Sequence, residues 1–263
     1  MNRNHPIGLF DSGIGGTSIW KEVVKLLPFE NTVYLADSKN APFGQRSADE
    51  IISLSIKNTE LLVSKGCKLI IVACNTATTN AIGYLRKNYD IPFIGIEPAI
   101  KPAALYSKTG AIGILATKGT LTSKLFEKTA NEYTKNITTV EQDGEGLVSL
   151  IEAGKIQSTE MHELLTTYLK PMLNFNIDHL VLGCTHYPYL IPQIKQIIGD
   201  QVVIIDSGMA VAQQTKAVLE KFHLLSETNK PITHQFFINI QKKVLEAILS
   251  DISINYTVDE LGF

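Results

Sequence analysis

Short apolar runs alternate with longer amphipathic segments along most of the chain. Ile7–Phe10 predicts a strand that ends in the turn Ser12-Gly13-Ile14-Gly15-Gly16. A helix follows over about Thr17–Leu27, with Trp20, Val23, Val24 and Leu27 on one face. Thr32–Ala36 predicts a second strand. Ser47-Ala48-Asp49-Glu50 has the spacing of a capping box, and the helix it opens runs to Lys65 and stops at Gly66. Leu69–Ala73 is apolar throughout, as in a strand covered on both faces of a parallel sheet. Further strands are predicted at Pro92–Ile96, Ala111–Leu115, Thr138–Glu141, His179–Leu182 and Val202–Ile205. Helices are predicted at about Ala77–Lys87, Leu121–Tyr133, Leu147–Ala153, Glu160–Asn174, Ile191–Ile198 and Met209–Phe222. Phe236–Ile240 and Val244–Leu249 read as a strand and then a helix. This alternation implies βα units and parallel sheets.

The pattern repeats once. Ile7-Gly8-Leu9-Phe10 resembles Ile112-Gly113-Ile114-Leu115, and Phe93-Ile94-Gly95-Ile96 resembles Val203-Ile204-Ile205-Asp206. The apolar run ending Cys74-Asn75-Thr76 resembles the one ending Cys184-Thr185-His186. The offsets are 105 (Ile7 to Ile112), 110 (Cys74 to Cys184) and 110 (Phe93 to Val203). Apolar strands resemble one another by chance; two that both end in cysteine followed by small polar residues point to two similar α/β lobes.

Composition narrows the function. With 263 residues the chain has room for two small cores, and 44% hydrophobic with 19% charged residues is ordinary for a globular protein. The formal net charge of −2, with lysine and arginine scattered, gives no basic stripe for nucleic acid. No apolar run is long enough to span a bilayer, and the polar start Met1–Pro6 does not read as a secretory signal. Three cysteines, Cys67, Cys74 and Cys184, are too few and too odd for a disulfide scaffold, which favours a reducing, cytoplasmic setting. Three dispersed cysteines with six histidines do not fit a structural zinc site, so no metal is expected.

Cys74 and Cys184 are placed at the carboxyl ends of strands, where open parallel sheets bind ligands, and each precedes a predicted helix. A helix N-terminus is expected to lower a thiol pKa and to bind a carboxylate through its amides. A single strand-end cysteine is more simply a small buried hydrophobe, and Cys67, beside Lys68, is given no role. Two at equivalent repeat positions suit a reaction that removes a proton from one face of a carbon and returns one to the other. Asp11 also reads as a cap for the helix after it. The glycine-rich turn 12–16 lacks the Gly-Lys-Ser/Thr ending of a phosphate loop.

Asp11-Ser12-Gly13-Ile14-Gly15-Gly16, Cys74-Asn75-Thr76-Ala77-Thr78 and Gly183-Cys184-Thr185-His186-Tyr187-Pro188 resemble the motifs of the glutamate racemases, within the aspartate/glutamate racemase superfamily, and the likeness runs along essentially the whole chain. The resemblance implies that Cys74 and Cys184 are the catalytic acid/base pair, the first acting on D-glutamate and the second on L-glutamate. It places Asp11 beside Cys74 and His186 beside Cys184, with Glu152 orienting His186. It assigns substrate binding to Asp11, Ser12, Asn75, Thr76, Thr117, Thr120, Thr185 and His186. Relatives usually carry Pro-Tyr-Gly where this chain has Pro42-Phe43-Gly44. That loop would bind substrate through backbone amides, or through a phenol hydroxyl missing here. The implied architecture is α/β: two similar lobes with parallel-type sheets flanked by helices, and an active site in the cleft between them. Residues 1–97 plus 207–263 would form the first lobe and 98–206 the second. The implied role is cofactor-independent supply of D-glutamate for peptidoglycan, and so for cell-wall biogenesis and cell shape, by a homodimer. An aspartate racemase, a decarboxylase-like relative or an amino-acid-binding module would carry similar strand ends.

Overall fold

A computed structural model describes residues 2–227 and 231–263. Met1, and 228–230 in the C-terminal part assigned to the first lobe, lie outside the described residues. The element order is β1 (Ile7–Asp11), α1 (Thr17–Leu26), β2 (Thr32–Ala36), α2 (Ala48–Ser64), β3 (Leu69–Val72), α3 (Asn75–Asn88), β4 (Phe93–Gly95) and α4 (Ile100–Tyr106). There follow β5 (Ala111–Ala116), α5 (Lys118–Leu121), α6 (Lys124–Tyr133), β6 (Thr138–Asp143), α7 (Leu147–Glu152), α8 (Thr159–Leu173), β7 (His179–Gly183), α9 (Ile191–Ile198) and β8 (Val203–Ile205). The chain ends with α10 (Gly208–Lys221), β9 (His234–Ile238), α11 (Lys242–Leu249) and β10 (Tyr256–Glu260).

Every strand pairing among the described residues is parallel. One sheet has the order β10-β9-β2-β1-β3-β4, the other β6-β5-β7-β8. The four strands β2-β1-β3-β4 and β6-β5-β7-β8 run in the same order, so the sequence repeat is a repeat of topology. Residue pairing repeats too: Ile7 sits opposite Leu69, as Ile112 sits opposite His179. Cys74 and Cys184 therefore follow equivalent central strands. The central strands β1, β3, β5 and β7 are buried along their whole length, which explains their unbroken apolar runs.

Cores form on both faces of each sheet. Residues of α2 and α3 cover one face of the first sheet, and α4 and α6 cover one face of the second. The other two faces share a continuous apolar cluster that includes Trp20, Phe236, Leu147 and Leu165. No helix among the described residues is long and apolar enough to cross a membrane.

Two local expectations change, and two elements are added. The helix expected over Leu121–Tyr133 is two helices, α5 and α6, parted at Ser123, whose hydroxyl accepts from the Phe126 amide and starts a new first turn. The helix expected from Ala77 begins at Asn75, because the Cys74 sulfur caps it by accepting from the Ala77 amide at 3.4 Å. The elements α4 and β10 have no counterpart in the sequence reading.

Lys68 is fully buried at the start of β3. Its ammonium donates to Glu30 Oε2 at 2.5 Å, to the Leu224 carbonyl at 2.8 Å and to the Arg3 carbonyl. This cation ties together the N-terminal segment, the turn before β2 and the stretch after α10. Lys68→Ala is expected to cost about 3–5 kcal/mol in denaturant unfolding, because it strands the Glu30 carboxylate. A loss under about 1 kcal/mol would show that the pair holds nothing together.

Candidate active site

The loops at the carboxyl ends of β1 and β3 in one sheet face those of β5 and β7 in the other. Between them lies a small, tightly closed cavity of about 10 Å3, room for about one water molecule. Cys74 lines it from the first sheet and Cys184 from the second. Ser12, Pro42, Phe43, Gly44, Asn75, Thr76, Thr117, Thr185 and His186 complete the wall expected from the sequence, and Val148 joins them. A wider opening, sharing Pro42, Gly44, Thr117 and Val148, leads outward past Arg46 and Lys118.

Asp11, Thr120 and Glu152 stand behind this wall. Asp11 is fully buried at the end of β1; Oδ2 accepts from the Gly16 amide at 2.9 Å and the Gly13 amide at 3.2 Å, and Oδ1 accepts from the Thr185 hydroxyl at 3.3 Å. It thus closes the glycine turn and also reaches the second lobe. Thr120 lies 3.3 Å from the Thr76 hydroxyl and 3.1 Å from that of Thr117, while Thr76 and Thr117 are 2.8 Å apart. Asn75 Nδ2 is buried and, among the described residues, has no acceptor. An orphaned amide donor beside three hydroxyls is a place where an anion is welcome. The Phe43 ring is buried against the α2/α3 core, so at this position the loop offers apolar packing and backbone, with no hydroxyl.

On the second-lobe side, His186 Nδ1 lies 3.8 Å from the Cys184 sulfur, and Nε2 lies 2.6 Å from Glu152 Oε1. Glu152 also accepts from the Ile14 amide and the Ser38 hydroxyl, each at 2.7 Å. Burial would raise the Glu152 carboxyl, but His186, Ser38 and the Ile14 amide together hold it below its usual range. An ionised carboxylate only accepts, so Nε2 carries a proton toward it, and the Gly15 amide points at the same nitrogen from 3.2 Å. Burial alone would pull His186 down; hydrogen bonds with Cys184 and Glu152 push it well above the ordinary histidine value. These bonds favour the charged form of His186, whose Nδ1 faces the sulfur.

The first-lobe side is the opposite. The Cys74 sulfur lies 3.7 Å from the Ser12 hydroxyl. Burial pushes its thiol well above the usual value, the Asp11 charge adds to this, and the Ala77 amide and Ser12 only partly offset it. The expectation that a helix N-terminus lowers this thiol is corrected: desolvation outweighs the amide dipoles. Burial also raises Asp11 from 3.8 to about 6, against the opposing charge of His186 and the Gly16 amide.

Glycines let the two sides meet. A methyl on Gly15 would overlap the His186 ring, and one on Gly13 the Glu152 carboxylate. Two residues escaped the sequence reading. Val148 stands one helical turn before Glu152 on α7, a spacing that shares a face. Ser38 follows β2 at a carboxyl end, the position that flagged the two cysteines. Among the described residues, no group of three His, Cys, Asp or Glu is placed to hold a metal ion. Cys67 is buried beneath Gly8, away from the cavity, and burial pushes its thiol up to about 12.

Comparison with known proteins agrees with this geometry. The sequence profile of the Asp/Glu/Hydantoin racemase family matches residues 14–215. A glutamate racemase of Herpetosiphon aurantiacus is 44% identical over 224 residues, 85% of this chain and 88% of that protein. The crystal structure of Escherichia coli glutamate racemase with L-glutamate and the activator UDP-MurNAc-Ala superposes with a TM-score of 0.86 at 29% identity, covering 98% of each chain. That of the Francisella tularensis glutamate racemase with D-glutamate gives 0.84 at 28% identity, covering 99% of this chain and 98% of that one. A profile spanning most of the residues, and a relative this similar over most of its length, mean that the chain belongs to the Asp/Glu/Hydantoin racemase family of amino-acid racemases.

Proposed function

We propose that this protein interconverts L- and D-glutamate by direct proton transfer at Cα between Cys74 and Cys184, with no cofactor. The observation that carries the proposal is one cavity lined by both sulfurs, each from an equivalent strand end of a different sheet. Substrate identity is supported by the relatives, two of which hold opposite enantiomers of glutamate. The lobes divide near residues 97 and 206. The product D-glutamate would serve peptidoglycan and cell shape, made in the cytoplasm by a homodimer.

Before L-glutamate reacts, one sulfur must accept a proton and the other must hold one. His186 Nδ1, 3.8 Å from the Cys184 sulfur, stands where it can exchange a proton with it; burial and the Asp11 charge favour the donor state at Cys74. Cys184 then takes the Cα proton and Cys74 delivers one to the opposite face. For D-glutamate the roles exchange, and Asp11, within reach of Cys74, takes up the thiol proton. Asn75 Nδ2, the Thr76 and Thr117 hydroxyls backed by Thr120, Ser12, Thr185 and the Pro42–Gly44 loop hold the two carboxylates and the ammonium. Low-dielectric enclosure strengthens each of these contacts. The loops meet closely, with Gly44 against Thr117 and Gly119 against Thr76, so substrate arrives when they part.

The test is racemisation of glutamate and of aspartate without added cofactor, followed by circular dichroism, with deuterium exchange at Cα in D2O. Faster turnover of aspartate would reject the substrate, and no exchange by folded protein would reject the chemistry.

Asp11 gives a pH prediction. Its carboxylate is lost as pH falls through about 6. We expect kcat/KM for D-glutamate to fall below that pH, and Asp11→Asn to remove the acid limb while lowering turnover about 10²-fold or more. The raised value also means that ionising Asp11 opposes folding: its stabilising contribution is whole below 3.8 and is lost as pH rises through about 6. An unchanged acid limb in Asp11→Asn would contradict the role.

A further inference from the structure

We propose that Ser38 is a positioning residue for the Cys184 half of the reaction: its hydroxyl lets the first lobe hold the Glu152–His186 pair of the second. This rests on the reading of Cys184 as one of two bases. Glu152 is the last residue of α7, where the helix end repels negative charge. Within its own lobe its hydrogen-bond partner, among the described residues, is His186. Its other two donors, the Ile14 amide and the Ser38 hydroxyl, both come from the first lobe. Ser38 takes the outer oxygen Oε2 alone, leaving Oε1 for Ile14 and His186.

The position of Ser38 is itself built. Asp37 beside it is buried, and its Oδ1 accepts from the side-chain amides of Asn40 at 2.7 Å and Asn239 at 2.6 Å. Its Oδ2 accepts from the Asn58 side-chain amide at 3.3 Å. The Lys39 amide donates to Asn239 Oδ1 at 2.8 Å. Three amide side chains, drawn from the turn, from α2 and from the stretch after β9, thus fix a turn whose one hydroxyl projects onto the second lobe. When the lobes close, Ser38 and Ile14 supply the donors that settle the Glu152 carboxylate and so the orientation of His186 against Cys184. When they part, Glu152 loses both. The device arms one sulfur only around a bound substrate.

Ser38→Ala tests this with the two enantiomers of 3-chloroglutamate, which need one base each. The sulfur removes the Cα proton, a Cα=Cβ bond forms, chloride leaves with the C–Cl electrons, and water hydrolyses the enamine to 2-oxoglutarate and ammonium. Elimination from the L-enantiomer is expected to fall about ten-fold, the scale of a hydrogen bond to a charged group, while the D-enantiomer reacts within about two-fold of the parent rate. Ser38→Thr, which keeps the hydroxyl, should restore the L-rate. Equal losses for both enantiomers, no loss, or no recovery in Ser38→Thr would overturn the proposal. Cys184→Ala separates the two readings. If it loses L-elimination alone while Ser38→Ala loses neither, only the role of Ser38 fails. If Cys184→Ala eliminates chloride from both at full rate, the two-cysteine reading fails.

Discussion

Cys74→Ser and Cys184→Ser are each expected to lower glutamate racemisation by about 10³-fold or more, the range lost when a positioned acid or base is removed. Serine differs from cysteine by one smaller atom in the same side-chain shape, so the protein should fold and bind; what it loses is a group far more acidic than an alcohol. The reaction runs through both sulfurs in each direction, so either change stops both directions. The β-elimination of chloride from one enantiomer of 3-chloroglutamate needs one sulfur only. Cys74→Ser should keep elimination from the L-enantiomer and Cys184→Ser from the D-enantiomer. Cys67→Ser, buried away from the cavity, should racemise at the parent rate. Either active-site variant within about ten-fold of the parent rate would refute the assignment.

The strands that carry this chemistry were legible because they are buried on both faces. Burial on two sides demands the unbroken apolar runs of Leu69–Val72 and Leu180–Gly183, and a strand end followed by small polar residues stands out against them. Tyr256–Glu260 was not legible for the converse reason. It is an edge strand whose residues are mostly exposed, so its sequence, Tyr-Thr-Val-Asp-Glu, carries no apolar run. Helix α4 is seven residues long with Pro102 within it, too short for periodicity to show. The direction of the Cys74 shift was misjudged because position along the chain reveals the helix dipole and not the depth of burial. Val148 and Ser38 belong to contacts between distant segments, and a single sequence holds no record of which segments meet. The glycines at 13 and 15 were seen in the motif, but their reason lies across the cleft, in side chains more than a hundred residues away.

That reason makes Gly15→Ala the second large prediction. Gly15 does not have the positive φ that would penalise any side chain, so its backbone accepts alanine. What alanine meets there is the His186 ring. The ring is fixed at Nε2 by Glu152 and faces Cys184 with Nδ1, so it yields by swinging out of line with the sulfur. A displacement on the order of 1 Å in a catalytic group costs roughly 10²-fold in rate, and that is the fall in kcat/KM expected here. Overpacking should also cost about 1–3 kcal/mol in unfolding, small enough for a folded protein to remain for assay. Elimination from L-3-chloroglutamate should suffer more than from the D-enantiomer, because the ring serves Cys184. Gly83→Ala is the control. It lies within α3 with open space around its added methyl, so alanine should leave activity unchanged and favour the helix by about 1 kcal/mol. Parent-level kcat/KM in Gly15→Ala would mean that His186 is free to move without consequence, and the histidine beside Cys184 would lose its place in the reaction.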